Sequence, residues 1–155
     1  GHQKIGYFGV PALLPPGLGR LRGYMRAMND MGLPIDPRFQ GEGDFSLESG
    51  RRAVQTLLQS DELPTALMVI NDLMAIGVIL ALQEAGYSVP GDIAVVGFDD
   101  IPEATIVRPT LTTIAQDSRD IGEKMARLLF ERIENPNTPA RHFESSYRLI
   151  QRQST

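Results

Sequence analysis

Four residues carry the chemistry that this sequence offers: Arg20, Phe45, Asn71 and Asp99. Arg20 presents a planar fork of donors and no acceptor, Asp99 two acceptor oxygens, and Asn71 groups of both kinds. A polyhydroxylated ligand needs that mixture, because each hydroxyl both donates and accepts. Phe45 offers an apolar face to a sugar ring or a base, or serves equally as ordinary core at a sheet edge. Asn71 and Asp72 also stand where Asx residues cap helices, and capping is the expected role of Asp72. Asp99 and Asp100 form a carboxylate pair suggestive of Mg²⁺ or acid–base work. Adjacent residues on a strand point to opposite faces, however, so the two do not easily share one ion.

The elements that must position these residues repeat one pattern. A short apolar strand runs into polar residues and then into a helix. Lys4–Val10 leads through a Pro/Gly loop to Arg20, and the weaker strand Arg38–Gly43 leads to Asp44 and Phe45. Thr65–Ile70 leads to Asn71 and Asp72, and Ile93–Phe98 to Asp99 and Asp100. Open α/β sheets bind ligands in the crevice beyond the carboxyl ends of their parallel strands, so the polar residues collect where a small molecule would sit.

The intervening segments read as helices. A first helix, about Leu18 to Met31, has Leu18, Leu21, Met25 and Met28 as its stripe, with Arg20 opposite, either reaching toward the strand ends or simply solvated. Ser46 is the expected N-cap of a second helix whose stripe is Leu47, Val54, Leu57 and Leu58. The third helix, Leu73–Ala85, is apolar nearly all round, so it needs cover on a second side. A partner subunit is the expected cover, and deep burial in a larger chain is the other reading. A strand-like Leu111–Ala115 follows, then a final helix with Ile121, Met125, Leu128, Leu129 and Ile133 as its stripe, an alternating strand Phe143–Ile150 and a polar tail. Strand–helix alternation at this spacing implies parallel strands with right-handed crossovers. The fold class is α/β, a doubly wound and mainly parallel sheet.

Composition removes several functions. The 155 residues contain no cysteine, which leaves no thiol chemistry and no disulfide framework, and fits a reducing cytosol. The net charge of −4 and the absence of a basic block argue against nucleic-acid binding by this stretch itself. Arg20, Arg22 and Arg26 are helix-spaced singles. No apolar run approaches the roughly 20 residues of a membrane span. No G-x-G-x-x-G, phosphate loop or G-x-S-x-G elbow is present, and His2 and His142 lie at opposite ends without metal-ligand spacing. No enzyme, cofactor or metal is expected. The chain opens almost directly into a strand, which suggests an excised portion of a longer protein.

The segments GHQKIGYFG, GRLRGYMRAM, EGDFSLESG, NDLMAIGVILALQEAGYSVPGDIAVVGFDDI, PTLTTIAQ and YRLIQRQST, in this order, resemble the effector-binding region of the lactose-repressor and purine-repressor (LacI/GalR) family of bacterial transcription regulators. The resemblance implies a type-I periplasmic-binding-protein-like sensor with two α/β subdomains around a cleft. Residues 1–116 would be the C-terminal subdomain, 117–141 a crossover helix belonging to an absent N-terminal subdomain, and 142–155 a returning strand and tail. It also implies that Arg20, Asn71, Asp99 and Phe45 touch a sugar-like effector or a purine. It implies a cytoplasmic homodimer joined through Leu73–Ala85, with DNA contacted only by a missing helix-turn-helix headpiece. A periplasmic sugar-binding protein for transport or chemotaxis shares the fold and is the alternative.

Overall fold

The computed structural model describes residues 1–11 and 14–155. Strand and helix alternate as β1 (Ile5–Gly9), α1 (Pro15–Asp30), β2 (Gln40–Glu42), α2 (Leu47–Leu57), β3 (Ala66–Val69), α3 (Asp72–Glu84) and β4 (Ala94–Val96). These strands are all parallel, in the order β2-β1-β3-β4. The chain steps outward from β1 to β2, then back across to β3 and on to β4. Right-handed crossovers therefore place α1 on one face and α2 and α3 on the other. The winding reverses between β1 and β3, so the doubly wound α/β expectation holds.

Capping chemistry fixes the helix starts. The Ser46 hydroxyl accepts from the Ser49 amide at 3.1 Å and the Asn71 side-chain Oδ1 from the Met74 amide at 3.2 Å. Gly86, at φ +88°, follows the end of α3 in the left-handed conformation that suits glycine there.

Three expectations change. The buried face of α1 is Leu21, Tyr24 and Met28, while Met25 is exposed. Tyr24 turns inward because its ring stacks on Tyr7 at 5.3 Å and its hydroxyl donates to the Ile5 carbonyl at 2.8 Å. Residues Pro37–Phe39 form a turn of 3-10 helix, not strand, since the Asp36 carboxylate accepts from the Arg38 amide at 2.8 Å. The apolar girdle of α3 is covered from within the chain. Met74, Val78, Ile79 and Leu82 are fully buried between the sheet and α2, and among the large apolar residues of α3 only Leu73 is exposed. The two helices approach at backbone contact. A Cβ on Gly77 would lie 2.0 Å from the Leu47 carbonyl oxygen, and one on Gly50 2.1 Å from that of Met74. No partner subunit is needed to explain this helix.

Beyond β4, the strand β5 (Thr113–Gln116) leads into α4 (Ser118–Glu134) and pairs antiparallel with β6 (Tyr147–Ile150). Parallel bridges Val96–Thr112 and Asp99–Ala115 continue the main sheet toward β5. The tail is more than a polar trailer. Ser154 is fully buried, accepts from the Val95 amide through its carbonyl at 2.8 Å and donates its hydroxyl to the Val95 carbonyl at 2.6 Å. No residue of α4 is buried, and Met125, Leu129, Phe130 and Ile133 are each more than half exposed.

Candidate ligand site at the strand ends

Arg20 lies in the first turns of α1 and reaches across the carboxyl edge of the sheet. Its Nη1 donates to the Ile70 carbonyl at the end of β3, and its guanidinium lies 3.7 Å above the centre of the Phe98 ring. Its Nη2 stands 3.6 Å from Asp99 Oδ1, close enough for ionic attraction but too far for a hydrogen bond. Asn71, next to Ile70, donates through Nδ2 to the Phe45 carbonyl at 3.1 Å while capping α3. All four residues named from the sequence thus fall on one connected edge, in the spatial order Phe45, Asn71, Arg20, Asp99. Their roles are unequal. Asn71 has already committed one donor and one acceptor to the fold, and Phe45 packs partly against the core at φ +69°. Arg20 and Asp99 keep most of their hydrogen-bonding capacity.

The electrostatics of this pair show what a ligand would supply. Burial pulls the Arg20 guanidinium below its usual pKa, with Asp99 opposing. Burial likewise raises the Asp99 carboxyl, with Arg20 opposing. In both groups desolvation outweighs mutual attraction, so each charge is less well solvated than in water. A neutral ligand whose hydroxyls accept from Arg20 and donate to Asp99 would replace the lost solvation without adding net charge.

Asp72 does not cap α3. It is fully buried, and its carboxylate accepts from the Thr113 hydroxyl at 2.5 Å and the Ile101 amide at 3.0 Å. The expected cap is instead a staple between α3, β5 and the turn beyond β4. The Asp99–Asp100 pair diverges, Asp99 facing Arg20 and Asp100 accepting from Arg152 Nη2 at 2.5 Å, but the two lie in a turn beyond β4 at positive φ and not in the strand the sequence suggested. Among the described residues no cluster of three or more His, Cys, Asp or Glu could hold a metal ion.

Sequence reasoning missed Phe98, Tyr7 and Arg152. Phe98 immediately precedes Asp99, and strand alternation would have put the two on opposite faces; both meet Arg20 because they lie beyond the end of β4. Tyr7 carries a buried hydroxyl without a hydrogen-bond partner among the described residues. Its ring lies along β1 into the space a side chain on Gly9 would take, 2.4 Å from the position of such a Cβ. Arg152 had no local signal at all. A hollow of about 550 Å³ borders Asp99 and Asp100 and is lined also by Gln116, Asp117, Tyr147 and Arg148. It lies on the β5/β6 side of Asp99 and does not include Arg20, Asn71 or Phe45.

A doubly wound parallel sheet with polar side chains gathered at its carboxyl edge is the architecture of an α/β domain whose crevice lies beyond the strand ends. The model of the periplasmic binding protein-like domain matches residues 1–155, and the chain belongs to that family. It is 38% identical over 154 residues to the HTH-type transcriptional repressor PurR of Klebsiella pneumoniae, covering 99% of this chain and 45% of that one. Among solved structures it is similar to the transcriptional regulator CelR in its cellobiose complex, with TM-score 0.95 and 33% identity over all of this chain and 47% of that one. It is similar also to the lac repressor dimer bound to operator and the anti-inducer ONPF, with TM-score 0.88 and 30% identity over all of this chain and 53% of that one. The chain spans about half the length of the relatives it matches. These relatives are transcription regulators and repressors.

Proposed function

We propose that this chain is the effector-sensing portion of a bacterial DNA-binding transcription regulator of the LacI kind. Its effector would be a neutral polar molecule, a sugar or else a purine or nucleoside, held by Arg20 and Asp99 with Asn71 and Phe45 alongside. The observation that carries this reading is the Arg20–Asp99 pair at 3.6 Å on the carboxyl edge of a parallel sheet, each group left short of solvation. The similarity to repressors and regulators supports this reading over a transport or chemotaxis receptor.

Residues 1–116 form the C-terminal subdomain in this reading, and 117–141 cross into a second subdomain that would cover the uncovered stripe of α4 and complete the cleft. The regulator acts in the cytoplasm, as a dimer, and touches DNA through a separate headpiece. Effector binding shifts the balance between DNA-bound and released states by its different affinity for the two. Because α3 is buried in its own chain, its share in a dimer contact reduces to Leu73 and its surroundings.

The test is calorimetric titration of the full-length protein with glucose, galactose, ribose, cellobiose, adenine and guanine, beside the Asp99→Ala and Arg20→Ala variants. Binding of one compound by the native protein, lost in both variants, is expected. Equal binding by all three proteins would remove the pair from the site.

A further inference from the structure

Asp99 and Asp100 both occupy positive φ, at +118° and +57°; the second is a left-handed value that aspartate tolerates, while the first is one that a non-glycine residue keeps only when its surroundings hold it there. The holding groups come from segments distant in the chain. The Asp99 amide donates to the Ile114 carbonyl at 2.9 Å and the Gly97 amide to the Thr112 carbonyl at 2.9 Å. On the α3 side, Asp72 accepts from the Ile101 amide and the Thr113 hydroxyl. On the other side stands Arg152. Its Nη2 donates to Asp100 at 2.5 Å, its Nη1 to the Leu111 carbonyl at 2.8 Å, and its amide to the Thr112 hydroxyl at 2.9 Å. The ion pair is well shielded, with side chains 17% and 25% exposed. The Asp72 clamp therefore joins the turn that presents Asp99 to β5 through Thr113, and the Arg152 clamp joins it to Leu111 and Thr112, just before β5, from the tail after β6.

We propose that Arg152, acting through Asp100, is a positioning residue for Asp99: it locks the strained turn to the Leu111–Thr112 segment that enters β5, so that load placed on the Asp99 carboxylate is passed to the β5/β6 pair. This rests on the reading of Arg20 and Asp99 as the effector pair only in its second half. The first half, that Arg152 fixes the Asp99 turn, stands on geometry alone. Arg152 touches no part of the Arg20–Asp99 pair, so it acts by holding backbone. Bidentate use of its guanidinium, one nitrogen to Asp100 and one to Leu111, makes arginine rather than lysine the suitable residue.

The experiment is hydrogen exchange by mass spectrometry on the full-length protein and its Arg152→Met, Arg152→Lys, Asp100→Asn and Asp100→Asn/Arg152→Met variants, without ligand. Expected is at least tenfold faster exchange in the peptide spanning residues 97–101 for both single neutral variants. The double variant should be no faster than either single, lysine should restore protection in part, and peptides of β1 and β3 should be unchanged. Unchanged exchange at 97–101 in Arg152→Met, or acceleration spread evenly over the sheet, overturns the positioning claim. In a second arm, the compounds of the calorimetric panel are titrated against Arg152→Met and Arg20→Ala. At least tenfold weaker binding in both supports the coupling. Loss in Arg20→Ala with native affinity in Arg152→Met overturns the coupling. If Arg20→Ala itself binds as the native protein does, the effector-site reading fails, while the exchange result still decides whether Arg152 fixes the turn.

Discussion

Arg20 stands 3.6 Å from Asp99 but gives its hydrogen bond to the Ile70 carbonyl. The pair attracts without closing. Held on α1 at one side and on the turn after β4 at the other, the two groups leave a gap that a hydroxyl can bridge. The Phe98 ring, 3.7 Å below the guanidinium carbon, supports Arg20 from beneath at this edge.

Lysine at position 20 tests this geometry. It keeps the charge but loses both the planar fork and the stacking. Hydrogen bonds to charged groups contribute about 1.5–3 kcal/mol, so Arg20→Lys should weaken effector binding roughly 10- to 150-fold. Calorimetry on the full-length variant reads this directly. Native affinity with lysine in place would mean that charge alone matters there.

The α2–α3 contact gives a prediction whose sign is diagnostic. On propensity alone, glycine to alanine within a helix stabilises by about 1 kcal/mol. Gly77→Ala and Gly50→Ala should do the opposite, because the new methyl would meet a backbone oxygen at 2.0 Å and 2.1 Å respectively. Overpacking of this kind costs about 1–3 kcal/mol or more. Gly122→Ala in α4, where nothing lies within 4 Å, should show the propensity gain. Urea denaturation of the three variants checks the contrast.

The same contact explains where sequence reading stopped. Strand–helix alternation and the polar residues after each strand made the sheet, its parallel sense and the edge with Arg20, Asn71, Asp99 and Phe45 legible, because these follow from local pattern and chain direction. The apolar girdle of α3 was legible too, but not what covers it. Gly50 and Gly77 signal close approach only once the two helices are known to cross. Arg152 and Ser154 were unreadable for the same reason: a residue that docks far away in the chain carries no local periodicity. Asp72 looked like a cap because it opens a helix, yet Asn71 takes that role and leaves the Asp72 carboxylate for Thr113 and Ile101.

Acid sensitivity follows from Asp44. Hydrogen bonds from the Ser46 hydroxyl and then the Ser46 amide hold its carboxyl at about 2, below the usual 3.8. A depressed folded-state value contributes stability that is present above the ordinary carboxylate range and is lost as pH falls through the folded value. The native chain should therefore lose more stability than Asp44→Asn between about pH 4 and pH 2. Parallel slopes for the two proteins in denaturation over that range would show that Asp44 is not held.

Tyr7 should respond unusually to loss of its hydroxyl. A buried polar group without a partner costs about 1–3 kcal/mol, so Tyr7→Phe should match or exceed the native chain in stability. Tyr24→Phe, which removes the bond to the Ile5 carbonyl, should lower it by about 0.5–1.5 kcal/mol. Opposite signs in urea denaturation of two tyrosines stacked on each other would place the difference in the hydroxyls and not in the rings.

The uncovered face of α4 bears on association. Met125, Leu129, Phe130 and Ile133 project from a helix none of whose residues is buried, and apolar area left in water favours any contact that removes it, at about 25 cal/mol per Å². The 155-residue chain on its own should therefore self-associate with rising concentration in sedimentation velocity. Leu129→Lys with Ile133→Lys should shift it toward monomer. Because neither side chain supports the core, the unfolding midpoint of the sheet, followed by hydrogen exchange in β1 and β3, should stay where it was. A native chain that remains monomeric at every concentration, with α4 amides protected, would mean that α4 packs against its own chain in solution. The crossover reading of residues 117–141 would then fall with it.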